Sequence, residues 1–136
     1  MPIPRMVLLD ESRWGGFYVH STPERYVHRD FDMDLKEGGV IALCGSTTAG
    51  TIAHEYRHHW QIQSGYKLSG SIWMQSPGEK YESSIVRFFR TYWWEMDALK
   101  FELKHAPDDT SLYWLELLMT DNHEARPVRA SSFLEP

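Results

Sequence analysis

At 136 residues, 42% hydrophobic and 14% aromatic, the chain has enough apolar surface for one substantial core and is most simply a single domain, residues 1–136. A net charge of −5, with no basic run able to neutralise phosphates, argues against nucleic acid as a partner. One cysteine, no apolar N-terminal stretch of signal-peptide length and nothing approaching the ~18 uninterrupted apolar residues of a membrane span together predict a cytoplasmic chain that leaves membranes alone.

Residues 1–14 hold two prolines and one apolar patch, 6–9, which suits an arm or a short edge strand. Phe17, Tyr18 and Val19 follow Gly15-Gly16 and predict a strand; residues 25–31 alternate in part, with Tyr26, His28 and Asp30 facing one way and Val27, Arg29 and Phe31 the other, and predict a second. The charged stretch that follows ends in Gly38-Gly39, a turn signal, before the continuous apolar run 40–44. That run is either an ordinary core strand or one whose edge is available to an extended peptide.

Residues 51–64, TIAHEYRHHWQIQS, contain His54-Glu55-Tyr56-Arg57-His58 and neither Gly nor Pro, so a helix is expected, with Ser46, Thr47 or Thr48 as its cap. On a helix His54 and His58 lie one turn apart on one face, where both imidazoles can reach a single metal ion. Glu55 falls about 100° around from His54, beside such an ion, placed to take a proton from a water that the ion acidifies. Two neutral imidazoles suit zinc, and a third protein ligand would leave the fourth position open for water or a substrate carbonyl. His59 points away from the pair and is expected to pack or to face solvent; Gln61 falls on the ligand side, though a solvated Gln is the commoner case. The next stretch, 65–75, mixes Gly and Ser with Tyr66, Ile72 and Trp73, and is expected to be an ordered connection that forms one wall of the cleft.

Residues 76–107 carry Ser76 as a cap, Pro77 at the first helical position, Glu79 three after the cap and Pro107 as a stop, which predicts one long helix. Ile85, Phe88, Tyr92, Glu95, Leu99 and Glu102 or Leu103 recur at steps of three and four, so Glu95 occupies a slot in an apolar stripe. A carboxylate there needs a cation, hydrogen bonds or a metal; an ion pair with Arg57 is the structural alternative to ligation. Glu82 and Asp97 compete as third ligand but lie outside the stripe. Phe89, Trp93, Trp94 and Phe101 spread aromatic surface around the helix, a pattern of burial on several sides or of self-association. Asp108, Asp109 or Thr110 can cap a last helix to about Thr120, with Leu112, Leu115, Leu118 and Met119 as its core side.

HEYRH followed by Glu95-Met96-Asp97-Ala98 resembles the gluzincin metallopeptidases, and most of all their minimal members, such as those that cleave phage repressors. The resemblance covers residues 40–103. It implies zinc, one ion per chain, held by His54, His58 and Glu95, with Glu55 as the catalytic base and a Tyr or His (Tyr81, Tyr92, Tyr113, His123) to steady the oxyanion. In that family the residue four after the Glu ligand is often an Asp or Asn that orients a ligand; here it is Leu99, so Asp97 or another polar group must do that work. The expected architecture is α+β and zincin-like, a small N-terminal sheet packed on the HExxH helix and two further helices. The expected function is zinc-dependent hydrolysis of peptide or unfolded-protein substrates. A rival reading is a non-catalytic zincin-like protein, of phage derivation or otherwise, whose metal site is structural or vestigial.

Overall fold

The computed structural model describes residues 3–8, 16–19, 25–28, 31–34, 39–44 and 47–120. These residues form an α+β chain: strands β1 (Arg5–Leu8), β2 (Gly16–Val19), β3 (Arg25–His28), β4 (Phe31–Asp34) and β5 (Val40–Leu43), then helices α1 (Ala49–Gln63), α2 (Tyr81–Thr91), α3 (Trp93–His105) and α4 (Asp109–Thr120). The chain divides into two compact units, Met1–Lys67 and Leu68–Pro136. No helix of the described residues is long and apolar enough to cross a membrane.

In the first unit β5 is the middle strand of a three-stranded sheet, order β1-β5-β2. It runs parallel to β1, with Arg5 opposite Val40, and antiparallel to β2, with Val19 opposite Val40. Val40, Ile41 and Ala42 are fully buried, which is why this strand is apolar throughout rather than alternating. Both edges of β5 are occupied by ladder pairing, so of the two readings the core strand is the one observed, and the edge available to a peptide is not. The stretch 25–31 is also not one strand. It ends at His28, and Phe31 opens β4, which returns antiparallel with His28 opposite Phe31. Partial alternation of side chains cannot distinguish one strand from two that pair antiparallel.

Helix α1 packs on β2 and β5. Its N-cap is Thr48, whose hydroxyl accepts from the Thr51 amide at 3.2 Å. The face turned to the sheet carries His59, which is fully buried and hydrogen-bonded through Nδ1 to the Tyr18 hydroxyl at 2.9 Å. The packed alternative expected for His59 is therefore the observed one. Burial pushes the Tyr18 phenol up to about 12, against a smaller opposing effect of a hydrogen bond with Gln63. The same ring fixes Gly39 as a glycine, because a Cβ there would collide with the Tyr18 hydroxyl and come within 2.6 Å of its Cζ.

The second unit begins with an irregular segment and a turn, and residues 76–107 do not form the single long helix predicted. Pro77 and Gly78 occupy the central positions of a turn closed by the Glu79 amide donating to the Ser76 carbonyl at 2.9 Å, and Gly78 takes φ +80°. That is the pattern of a type II turn, which needs glycine at its third residue and cannot continue as helix. Glu79 does reach back to the Ser76 amide at 3.0 Å, so half of the capping interaction is present, closing a turn instead of opening a helix. A bidentate Arg87 guanidinium also holds Glu79, with bonds of 3.0 and 2.8 Å, and lowers its carboxyl to about 2.

The second break falls at Tyr92, which is extended (φ −109°, ψ 101°). Its amide closes α2 on the Phe88 carbonyl, and its own carbonyl accepts from the amides of Glu95 and Met96 to open α3. Thr91, Tyr92, Trp93 and Trp94 are all modest helix formers, and Tyr92 packs its ring 5.5 Å from Phe88 and 5.3 Å from Trp94. Ile85, Val86 and Phe89 of α2, Leu99 and Leu103 of α3 and Leu118 of α4 form the core of this unit. Full burial of a side chain such as Phe89 or Leu99 is worth about 1.5–3 kcal/mol. Asp108 caps α4 reciprocally with Ser111, each amide bonded to the other side chain at 2.8 Å. The buried face of α4 is Ser111 and Leu118 with Trp114 and Leu115 beside them, while Leu112 and Met119, expected in the core, are half exposed. Phe89 is core, and Trp93 is the most exposed of the four aromatics expected to encircle the helix.

Two stability measurements test this packing. Gly39→Ala should cost about 1–3 kcal/mol in chemical denaturation, as overpacking against an anchored ring does. The Tyr18 phenol ionises near 10 when unfolded and at about 12 when folded. Its share of stability is therefore complete below pH 10 and drains away as the pH climbs towards 12, so Tyr18→Phe should flatten the alkaline limb of a stability-against-pH curve.

Candidate metal centre

The uninterrupted helix through residues 49–63 sets His54 and His58 on one face, with ring centroids 4.9 Å apart and planes at 77°. His58 is buried, and its Nδ1 lies 2.8 Å from the amide oxygen of Gln61, one turn further on and fully buried. An amide oxygen only accepts, so Nδ1 carries the hydrogen and Nε2 keeps its lone pair. This is the arrangement by which a neighbouring acceptor fixes the tautomer of a ligating imidazole. Gln61 is thus not the solvated side chain that base expectation favoured. The signal for it was its i, i+3 relation to His58.

Glu95 is also buried, and the break at Tyr92 puts it in the first turn of α3 rather than midway along a helix. There the helix dipole favours a negative charge. Oε2 accepts a 2.6 Å hydrogen bond from the Ser71 hydroxyl, and that hydroxyl in turn accepts from the Trp94 indole N–H at 2.6 Å. The relay Trp94 to Ser71 to Glu95 fixes the orientation of the carboxylate. It supplies the orienting polar group that Leu99, fully buried in the apolar core, cannot. Ser71 carried no sequence signal, because it lies in an irregular segment and meets Glu95 only through the fold.

Among the described residues, one group of His, Cys, Asp and Glu side chains could hold a metal ion: His54, His58 and Glu95. Each offers one ligand atom, and these atoms all lie within 4.8 Å of one another. Donors of a tetrahedral ion at about 2.0–2.2 Å sit roughly 3.4 Å apart, so on an ion the widest pair would close by up to about 1.4 Å. The donor set fits in chemistry as well, two imidazoles and an oriented carboxylate. The expected triad is therefore compatible with an HExxH-type site. Glu55, the next residue on α1 after His54, is buried too.

The rival ligands do not join the group. Glu82 is exposed in the first turn of α2 and bears on Tyr113, whose phenol is raised first by burial and then by the Glu82 charge. Arg57, considered as an ion-pair partner for Glu95, lays its guanidinium 3.9 Å over the Trp60 ring. Of the oxyanion candidates, Tyr81 stacks on Trp73 and Tyr92 is the hinge between α2 and α3, while His123 lies outside the described residues. Comparison with protein-family models, with curated proteins and with solved structures returned no match.

Ser71→Ala removes the hydrogen bond to Glu95 without adding bulk. It should weaken metal binding about 10–100-fold in a competitive chelator titration, the usual consequence of losing a group that orients a ligand. Gln61→Leu, which leaves the buried His58 Nδ1–H without its acceptor, should do the same.

Proposed function

We propose that this chain is a zinc-dependent metallopeptidase with a zincin-like core, acting on peptide or unfolded-protein substrates. The observation that carries the reading is the convergence of His54, His58 and Glu95 with a buried Glu55 next to the first ligand in sequence. A zinc ion bound by those three residues would acidify a water and polarise a scissile carbonyl.

The chain's own groups supply the rest. Gln61 holds Nδ1 of His58, which leaves Nε2 as the ligating nitrogen, and Ser71 orients the Glu95 carboxylate. Glu55 is the general base: it takes the proton from the attacking water and passes it to the departing amine, so its carboxylate is regenerated with each turnover. Burial of Glu55 and of two ligands keeps bulk water from competing for these charges and strengthens each interaction.

The test separates metal from chemistry. Wild type and Glu55→Gln, both zinc-loaded, should contain equal metal by elemental analysis. Cleavage of casein, an unfolded protein, should fall by about 10²–10⁴-fold in the variant. His58→Ala should lose metal and cleavage together. Bound zinc with no cleavage by wild type would overturn the peptidase reading in favour of a non-catalytic metalloprotein, and a wild type that binds no zinc would overturn both.

A further inference from the structure

The segment that carries Ser71 has features that neither metal binding nor the core accounts for. From Ser71 to Met74 burial alternates: Ser71 and Trp73 are half-buried, whereas Ile72 is 65% exposed and Met74 64% exposed. Alternation of this kind is the mark of extended chain with one face inward. The inward side chains are anchored, Ser71 to Glu95 and Trp94, and Trp73 against the rings of Tyr81 at 5.7 Å and Phe88 at 5.2 Å. The Met74 carbonyl is held by the Arg87 guanidinium. The main-chain groups of Ile72 and Trp73, by contrast, make no hydrogen bond among the described residues.

A segment anchored on one side, whose main-chain groups at Ile72 and Trp73 make no hydrogen bond among the described residues and whose two apolar side chains face outward, offers one half of a β-ladder. Main-chain amides and carbonyls at regular spacing call for a backbone partner, and Ile72 and Met74, two residues apart, call for apolar side chains at alternate positions of that partner. The segment is also continuous with the candidate centre, since Ser71 touches a ligand carboxylate directly.

We propose that residues 71–74 are the docking edge for substrate: an extended peptide pairs with the main chain of Ile72 and Trp73 and sets apolar side chains at alternate positions against Ile72 and Met74. The role once open to β5, whose edges are both taken, passes to this segment. The inference rests on the metallopeptidase reading for the fate of the peptide, but binding itself needs no catalysis.

The experiment measures fluorescence anisotropy of a short labelled peptide of alternating leucine and threonine against zinc-loaded Glu55→Gln protein, so that bound peptide is not consumed. Two control peptides are used, one with glutamate for leucine and one methylated on alternate backbone nitrogens. The unmodified peptide should bind, and both controls should bind at least about tenfold more weakly, as loss of apolar burial or of the ladder requires. The double substitution Ile72→Ser with Met74→Ser should weaken the unmodified peptide about as much, while zinc content and Tm stay at the values of the parent protein. No binding of the unmodified peptide, or binding that ignores both the backbone methylation and the double substitution, would overturn the proposal. Binding that follows the expected pattern while wild type cleaves nothing would keep this docking edge and remove only the peptidase reading.

Discussion

A carboxylate taken out of water has to be compensated, and the buried Glu95 is the constraint around which the second unit is arranged. Three features meet that demand. The chain breaks at Tyr92 so that Glu95 falls in the first turn of α3, at the positive end of the helix dipole; Ser71 is brought in from an irregular segment to donate to Oε2; and Trp94 steadies Ser71 from the adjoining position on α3. None of these side chains would need such placement if Glu95 were a solvated surface acid. With the imidazoles of His54 and His58, the same carboxylate makes up a group that could hold a metal ion, and this makes the arrangement chemical as well as structural.

The first unit solves a different problem, that of holding a helix so that one face presents ligands. Its answer is the buried contact between Tyr18 of β2 and His59 of α1, on the side away from His54 and His58. A polar contact inside a packed interface fixes rotation about the helix axis more sharply than apolar side chains, which tolerate sliding. Three adjacent residues therefore serve different ends: Arg57 lies over Trp60, His58 faces the ligand side, and His59 locks the back of the helix to the sheet.

The parts of the molecule legible in the sequence are those governed by local rules. The HExxH spacing, the apolar run of β5 and the cap of α4 each depend on residues within a turn or two of one another, and Glu95 stood out as a carboxylate in an apolar stripe. What escaped depends on non-local partners or on weak preferences. Ser71 meets Glu95 only after folding. The break at Tyr92 has no Gly or Pro to announce it; it falls in a run of residues that are all weak helix formers, Thr91 to Trp94. Ser76-Pro77-Gly78-Glu79 satisfied a helix-start pattern and a turn pattern equally well, and the glycine decided in favour of the turn. On α4 the reading of its leucines was displaced because Ser111, which caps the helix, also sits on its buried face.

The extended residue at position 92 also uncouples two segments that share a core. In a continuous helix, every residue added or lost upstream rotates all that follows by about 100°. With the rotational phase reset immediately before α3, the length of α2 can drift over evolutionary time without swinging the carboxylate at position 95 out of alignment. The orientation of that acid is inherited from its three preceding residues, and the helix before them is at liberty to vary.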